Sequence, residues 1–215
     1  MADTDLDLEG YVIKLIEEFA SDDTWGDKNN ANWQNVVDAL KAKFVRACAS
    51  GEILSTTTAF EIELPTEGDA FVFRFANFHS ASAGSNLALQ FSTDGGLTYK
   101  NGASDYFYTA ETFSSVPTTN DTGGAASSIF IGSMSHAATD AVSGEVTIYT
   151  EAGRYPSLNG HSAGRISLSG NYLGSYKVAG AAANFSGRVT HIRVFSVTAS
   201  QLGGGKWALY PSPGI

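Results

Sequence analysis

The amino-acid sequence predicts a mainly β protein, an antiparallel jelly-roll-like β-sandwich preceded by two short N-terminal amphipathic α-helices. Two features of the sequence predict this fold. From Thr57 onward apolar and polar residues alternate with a period of two, which is typical of half-buried strands, whereas before that point apolar residues recur with a helical period. No helical pattern of ten residues interrupts the second part, which disfavours a parallel α/β sheet and favours two packed antiparallel sheets. The sequence therefore predicts a helical assembly segment at 1–52 and a β-sandwich at 53–215.

The first predicted helix spans residues 5–20. Thr4-Asp5-Leu6-Asp7 resembles a capping box, and acidic residues in the first turn suit the positive end of the helix dipole. The apolar stripe of this helix, with residues spaced four, three and four apart, consists of Leu8, Val12, Leu15 and Phe19. Such a stripe indicates a surface that another element covers.

A second helix is predicted from Ala31 to Ser50, with Gly51 as its C-terminal glycine. Its apolar positions recur at four and three residues, as in a heptad seam. Three interpretations stay open: packing within the chain, self-association as a short trimeric bundle, and docking onto a larger assembly. The candidate oligomerisation or anchoring residues of the two helices are Leu8, Val12, Leu15, Phe19, Trp33, Val37, Leu40 and Phe44.

Strands in the second part are predicted from alternation and from β-branched or aromatic residues. The clearest are Phe60–Leu64, Phe71–Phe75 and Leu87–Phe91. Further strand candidates are Tyr106–Tyr108, Ile129–Ile131, Val146–Tyr149, Ile166–Leu168, Val189–Val197 and Lys206–Tyr210. The polar, glycine-rich stretch Ser114–Ser128 is predicted to be a long exposed loop.

Charge and composition limit the partners. The formal net charge is -9, and most of it lies in the first 30 residues. Without a basic stripe, nucleic-acid binding is disfavoured, and an acidic surface is repelled by anionic lipid headgroups. No apolar run approaches the length of a spanning helix, so no membrane insertion is expected. Cys48 is the only cysteine, which excludes an internal disulfide, and the acidic start predicts synthesis in a cytoplasm.

One motif stands out after the third clear strand. Ser92-Thr93-Asp94-Gly95-Gly96-Leu97-Thr98-Tyr99 matches the Asp-box pattern S-x-D-x-G-x-T-W, with tyrosine in the tryptophan place. Asp and Gly suit a tight turn, because Asp accepts local N–H bonds and Gly tolerates positive φ. Sialidase-like propellers carry several copies, whereas this chain has one. A structural hairpin formed by Ser92, Asp94, Gly96 and Thr98 is therefore favoured over a glycosidase.

The sequence contains no catalytic or metal constellation. The four histidines, His79, His136, His161 and His191, lack the spacing of a metal motif, and no G-x-S-x-G elbow is present. We therefore predict no enzymatic activity, no metal and no cofactor. Tyrosines near Gly/Ser/Asn-rich turns could instead stack on sugar rings, or they belong to the sandwich core. These candidate ligand-contact aromatics are Tyr106, Tyr108, Tyr155, Tyr172 and Tyr176.

Several short segments together resemble the structural proteins of tailed bacteriophages. Leu87–Gly96, read as LALQFSTDGG, leads to the turn GASDY at Gly102–Tyr106, and a strand GEVTIY follows at Gly144–Tyr149. The ending is similar too, with IRVF at Ile192–Phe195 and GKWALY at Gly205–Tyr210. The resemblance covers roughly Phe60 to Tyr210 and leaves the N-terminal segment outside it.

This resemblance implies a jelly-roll module of the kind used in tail fibres, minor tail proteins and head decorations, generally non-enzymatic and often trimeric. We accordingly expect a virion protein of the fibre or adhesin type, made in the bacterial cytoplasm. Its N-terminal helices would attach it to other virion proteins, and its sandwich loops would contact a host surface glycan or protein. The alternative is a capsid decoration protein that stabilises the head, and a carbohydrate-active enzyme is less favoured.

Overall fold

The fold is known from a computed structural model, which divides the chain into two compact units, Met1–Val45 and Arg46–Ile215. The residues that it describes are 5–8, 11–14, 47–53, 57–81, 84–114, 119–121, 124–134, 141–165, 173–198 and 201–212. Among them no helix has the length and apolar character needed to cross a membrane.

In the first unit, strand β1 (Asp5–Leu8) pairs antiparallel with strand β2 (Tyr11–Lys14). The predicted first helix is therefore wrong over these residues, and Leu8 and Val12 lie in strands. Asp5-Leu6-Asp7-Leu8 also alternates with a period of two, and Tyr11-Val12-Ile13 consists of strong β-formers, so the local sequence favours strands as well. The remaining candidate anchoring residues, which lie outside the described residues, are Leu15, Phe19, Trp33, Val37, Leu40 and Phe44.

The described residues of the second unit are strands joined by turns. In chain order the strands are β3 (Ala49–Ile53), β4 (Ala59–Glu63), β5 (Ala70–Ser80), β6 (Ser85–Ser92), β7 (Tyr106–Ser114), β8 (Thr119–Asp121), β9 (Ala125–Ala126), β10 (Ile129–Met134), β11 (Val142–Tyr149), β12 (Ser157–Arg165), β13 (Leu173–Ala182), β14 (His191–Ser196) and β15 (Leu202–Pro211). This confirms the prediction of a mainly β fold.

The strands form two antiparallel sheets. The smaller sheet has the order β10-β6-β14-β4, and the larger has the order β3-β15-β5-β11-β12-β13-β7-β8, with β9 pairing to β7 as well. Four of the pairs are nested along the chain: β3 with β15, β4 with β14, β5 with β11, and β6 with β10. The first and third of these pairs lie in the larger sheet, and the other two lie in the smaller sheet.

One hydrophobic core joins the inner faces of both sheets, as in a β-sandwich. Phe71, Phe73 and Val146 of the larger sheet are fully buried, as are Leu89 and Val194 of the smaller sheet. Each of these residues occupies an alternate position of its strand, so the period-two pattern does identify the buried faces.

The end of the predicted second helix is wrong. Ala49–Ile53 is strand β3. It pairs with β15 along its whole length, from Ala49↔Leu209 to Ile53↔Gly205. Gly51 is not a helix cap. It lies where the backbone of β3 passes close to the Trp207 indole, since a Cβ at this position would be only 2.8 Å from that ring. Burial of Ile53 in the core and main-chain pairing to β15 favour a strand over one more helical turn.

The predicted exposed loop Ser114–Ser128 is also partly wrong, because β8 and β9 within it pair with β7. Main-chain groups at the edge of a strand bind any partner backbone, whatever its side chains, so composition alone did not reveal these strands. The central strand β12 was not predicted either, because its inward positions after Leu158 are Gly160, Ser162 and Gly164, which give no apolar alternation. The strand candidate Ile166–Leu168 lies outside the described residues.

Candidate functional site

The Asp-box residues form a hydrogen-bonded turn at the end of β6. The Ser92 hydroxyl donates to the Asp94 carboxylate over 2.7 Å and accepts the Gly96 N–H over 3.0 Å. Thr98 donates its N–H to Asp94 Oδ1 over 3.0 Å and its hydroxyl to Oδ2. These bonds, the Thr98 hydroxyl first, lower the pKa of Asp94 to about 2. Ser92, Asp94, Gly96 and Thr98 are thus joined in one local hydrogen-bond network.

The turn is not, however, a β-hairpin between paired strands. Lys100 N–H donates to the Phe91 carbonyl over 3.0 Å and closes the turn locally, but the next strand, β7, belongs to the other sheet. The turn therefore carries the chain from the smaller sheet to the larger one. Gly95 and Gly96 have φ values of 77° and 80°, which explains the glycines at these two positions.

Tyr106 and Tyr176 are core residues, so their proposed role as ligand contacts is wrong. Tyr106 is fully buried, and its hydroxyl accepts the Phe91 N–H over 2.8 Å and donates to the Lys100 carbonyl over 3.0 Å. Burial raises the pKa of this hydroxyl. Tyr176 is 6% exposed. Both residues occupy inward positions of their strands, which the turn-rich sequence around them did not reveal.

The other three candidate tyrosines differ from one another. Tyr108 is half-buried and packs on Phe130, with ring centroids 5.3 Å apart. Tyr155 lies in the turn between β11 and β12 and is 62% exposed. Tyr172 lies outside the described residues. Among the described candidates, Tyr155 has the most accessible ring.

Tyr155 belongs to a set of loops that hydrogen bonds hold together at one end of the sandwich. This loop end comprises residues 64–69, 93–105, 150–156 and 183–190. Arg188 donates to the carbonyls of Pro65 and Gly68, each over 2.7 Å, and the Ala183 and Gly187 N–H groups donate to the carbonyls of Asp105 and Arg154. Leu97, which is 84% exposed, projects from the same end.

A second candidate lies on the outer face of the larger sheet, where a shallow groove of about 520 Å³ crosses four strands. We call it the sheet groove. Its lining residues are Phe107, Tyr108, Thr109, Gly124, Tyr149, Ser157, Leu158, Asn159, Ala179, Gly180 and Ala181. None of these residues carries a charge.

Strand register places the groove residues in two rows that run across the strands. The aromatic row consists of Tyr149, Ser157, Ala181 and Phe107, paired in that order on β11, β12, β13 and β7. The amide row beside it consists of Thr147, Asn159, Ala179 and Thr109. Their inward neighbours, such as Ile148 and Val178, are buried in the core, so both rows face outward.

The groove has aromatic walls and a low, polar floor. Phe107 is 55% exposed and Tyr149 is half-exposed, whereas the two central positions of the aromatic row are a serine and an alanine. The Asn159 amide donates to the Tyr149 hydroxyl over 3.5 Å. Charged residues begin only in the next row, where Arg74 and Glu145 form an ion pair at 2.9 Å.

The chain itself covers the middle of the outer face of the smaller sheet, whereas Glu61 and Glu63 of the edge strand β4 are exposed. Ala88, Gln90 and Ser92 point outward from β6 but are 0%, 7% and 0% exposed, and the Gln90 amide donates to the Ser127 carbonyl over 2.9 Å. On β14, the Arg193 guanidinium lies 5.8 Å from the centre of the Tyr99 ring. Burial and the nearby Glu61 carboxylate raise the pKa of Tyr99 to about 12.

The described residues contain no group of three or more His, Cys, Asp or Glu side chains placed to hold a metal ion. Comparison of the chain with known protein families, with curated proteins and with solved structures found no match. Sequence reasoning missed Phe107, Tyr149 and Asn159 of the sheet groove. The one local signal was the outward alternation of small residues at Ala179 and Ala181, which permits a low floor.

Proposed function

We propose that this chain is a bacteriophage virion structural protein of the fibre or adhesin type, built on a jelly-roll sandwich. The observation that carries this proposal is the nested pairing of β3 with β15, β4 with β14, β5 with β11 and β6 with β10. This connectivity is that of a long hairpin that is rolled up, so that its successive strand pairs lie alternately in the two sheets. The jelly roll so defined is an architecture of viral capsid and lectin domains.

The sequence resemblance supports the same proposal, since the residues that carry it, roughly Phe60 to Tyr210, fall within the unit that has the nested pairing. The strands β12, β13 and β7 widen the larger sheet beyond the roll. This extension creates the outer face that holds the sheet groove. The added strands therefore supply a contact surface on the outside, while their inward residues, such as Tyr106, Leu158 and Val178, extend the core.

In this proposal the Arg46–Ile215 unit contacts the host surface, and the Met1–Val45 unit joins the protein to other virion proteins and to copies of itself as a trimer. Exposed Leu97 and Tyr155 at the loop end, and the sheet groove, are the surfaces available for contact. Rigid loops on a sandwich are common binding elements, because the sheets hold them in place.

Localisation on the particle tests the proposal. Virus particles produced from the genome that encodes this chain would be labelled with gold-conjugated antibodies raised against residues 46–215. We expect label at the tail or its fibres. Label over the head would replace the adhesin with a capsid decoration protein, and particles without the protein would overturn the virion proposal altogether.

Attachment is tested by a truncation that keeps β3 intact. A chain lacking residues 1–45 retains Ala49–Ile53 and its pairing with β15, so we expect a folded sandwich that particles no longer incorporate. Light scattering should give a trimer for the full chain and a monomer for the truncated one. Incorporation of the truncated chain at the normal level would show that the N-terminal unit is not the anchor.

A further inference from the structure

We propose that the sheet groove is a glycan-binding site, and that its ligand is a neutral oligosaccharide lying across the strands of the larger sheet. This inference rests on the proposed function, in which the sandwich contacts a host surface. It names the ligand class and moves the contact from the loop end to the face of the sheet. The residues that would bind the chain are Tyr149, Ser157, Asn159, Thr109 and Phe107.

The walls of the groove suit sugar rings. The C–H face of a pyranose is apolar, and an aromatic ring offers a flat apolar surface that excludes water from it. Phe107 is 55% exposed and pairs with the small Ala181 of the neighbouring strand β13, so the face of its ring is accessible to a ligand. Tyr149, at the opposite wall, adds a hydroxyl that already accepts a hydrogen bond from Asn159.

The floor suits hydroxyl groups. Ser157, Thr109 and the Asn159 amide present donors and acceptors within the two rows, and none of them is charged. A neutral polyhydroxylated ligand loses little hydration when it exchanges water for such partners, whereas an ionised ligand would find no counter-charge among the lining residues. The groove therefore matches uncharged sugars in polarity as well as in shape.

The length of the groove favours a chain over a single sugar. Tyr149 and Phe107 are three strand intervals apart in the aromatic row, and at the usual spacing their backbones are separated by about 14 Å. Between them only Ser157 and Ala181 rise from the floor. A ligand that contacts both walls must extend across this distance, perpendicular to the strands.

The groove is rigid before any ligand arrives. Each of its four strands is hydrogen-bonded on both sides, and on the inner face a Cβ at Gly180 would lie 2.9 Å from Ile129 and 3.0 Å from Tyr108. This close packing fixes β13 against the core beneath the floor. A preformed site avoids the entropic cost of ordering loops on binding.

Binding would be measured with the full chain on an array of neutral and acidic oligosaccharides, from monosaccharides to hexasaccharides, and on surface polysaccharide extracted from the host. We expect neutral oligosaccharides to bind and monosaccharides to bind far more weakly. Phe107→Ala and Tyr149→Ala should each weaken binding about tenfold, because each removes one ring contact. Ala181→Trp, which fills the floor, should abolish it.

Val197→Ala is the control, since it shortens an exposed apolar side chain that belongs neither to the groove nor to the loop end, and it should leave affinity unchanged. Tyr155→Ala tests the loop end as the competing site. Circular dichroism and thermal melting would verify that each variant is folded. If Tyr155→Ala abolishes sugar binding and the groove variants do not, the groove is not the site. The proposed adhesin function would then still stand, with its contact at the loop end. No binding to any sugar would overturn the inference, while gold labelling of the particle would still decide the proposed function.

Self-association through the same surface is the competing outcome. If Phe107→Ala converts an oligomer into a monomer in light scattering and no sugar binds the parent chain, the groove is an interface between copies. An unchanged oligomer with weakened sugar binding supports the glycan site.

Discussion

The outer face of the smaller sheet and the outer face of the larger sheet differ in how much of the chain lies over them. On the smaller sheet even Gln90 is 7% exposed, because the segment around Ser127 covers it and accepts its amide hydrogen bond. On the larger sheet the apolar ring of Phe107 is 55% exposed. A polar residue is thus buried and an apolar residue accessible, the reverse of what hydropathy alone predicts.

The difference arises from connectivity rather than from composition. The Asp-box turn and the segment before β10 both belong to the connection from β6 to β10, and they fold over the smaller sheet. The larger sheet is widened by strands instead, which leaves its outer face open. Loops of the chain thus lie over the middle of the smaller sheet, whereas the outer face of the larger sheet is accessible for contact.

The largest expected effect is a difference in stability between substitutions at two adjacent residues, Tyr106 in the core and Phe107 on the exposed outer face. Tyr106→Ala should lower the free energy of unfolding by about 3–5 kcal/mol, because it removes a fully buried ring. Tyr106→Phe should cost about 1–3 kcal/mol, since it leaves the Phe91 N–H and Lys100 carbonyl without their buried partner. Phe107→Ala should cost less than about 1 kcal/mol. Urea denaturation measures all three, and equal losses at 106 and 107 would contradict the contrast.

A somewhat smaller effect is expected beneath the floor of the groove. Gly160 of β12 lies opposite Val146 of β11, and a Cβ there would lie 2.3 Å from the Glu145 carbonyl oxygen. Gly160→Ala should force the two strands apart and destabilise the fold by about 1–3 kcal/mol. Gly124→Ala is the control, because its added Cβ meets nothing within 4 Å. A thermal melt of Gly160→Ala that matches the parent would show that the strands tolerate separation.

The Asp94 turn on the covered side should give a pH-dependent effect. Its carboxyl has a pKa of about 2 in the folded chain, against about 3.9 when unfolded. The stability that the ionised carboxylate contributes is therefore complete above about pH 4 and is lost as the pH falls toward 2. Asp94→Asn should melt below the parent at neutral pH, and the gap should narrow in acid. A gap that stays constant from pH 6 to pH 2 would contradict the hydrogen-bonded carboxylate.

The smallest effect is expected on the open face itself. Glu145→Gln removes the ion pair with Arg74, whose side chain is 59% exposed, and should change stability by about 0–1 kcal/mol. Melting at low and high salt should give nearly the same difference. A loss well above 1 kcal/mol would mean that this row is covered in solution, and the open face would have to be reconsidered.

Much of the fold was predictable because its signals are local. Alternation at Phe71–Phe75 and Leu87–Phe91 identified strands and their buried faces correctly, and Asp94 and Gly96 identified the turn. The helix prediction failed at Asp5–Leu8 and at Ala49–Ser50, where apolar spacing was compatible with both periods. At Ala49–Ile53 the choice depends on pairing with β15, which local sequence does not contain.

The candidate site was hardly predictable, because it depends on register. Phe107, Tyr149 and Ser157 become neighbours only when three pairs of strands are aligned, and a shift of one residue would turn each of them toward the core. The same reasoning explains why Tyr106 was misassigned. Its sequence surroundings are those of a surface turn, and only the alternation of β7 turns its ring inward.

The nested pairing also bears on when the two sheets can be completed during folding. Of the four nested pairs, β6 and β10 enclose the shortest stretch of chain. The outermost pair, β3 with β15, is the most distant in sequence: next to it the Cys48 N–H donates to the Leu209 carbonyl, 161 residues later in the chain. Contacts of such high sequence separation form late and slow the folding of β proteins. During synthesis β3 has no partner, and β5 lacks its second one, until Leu202–Pro211 leaves the ribosome. A chain that stops before β15 would thus expose the edges of β3 and β5, which would be prone to aggregation, so β15 is the strand that completes this part of the larger sheet.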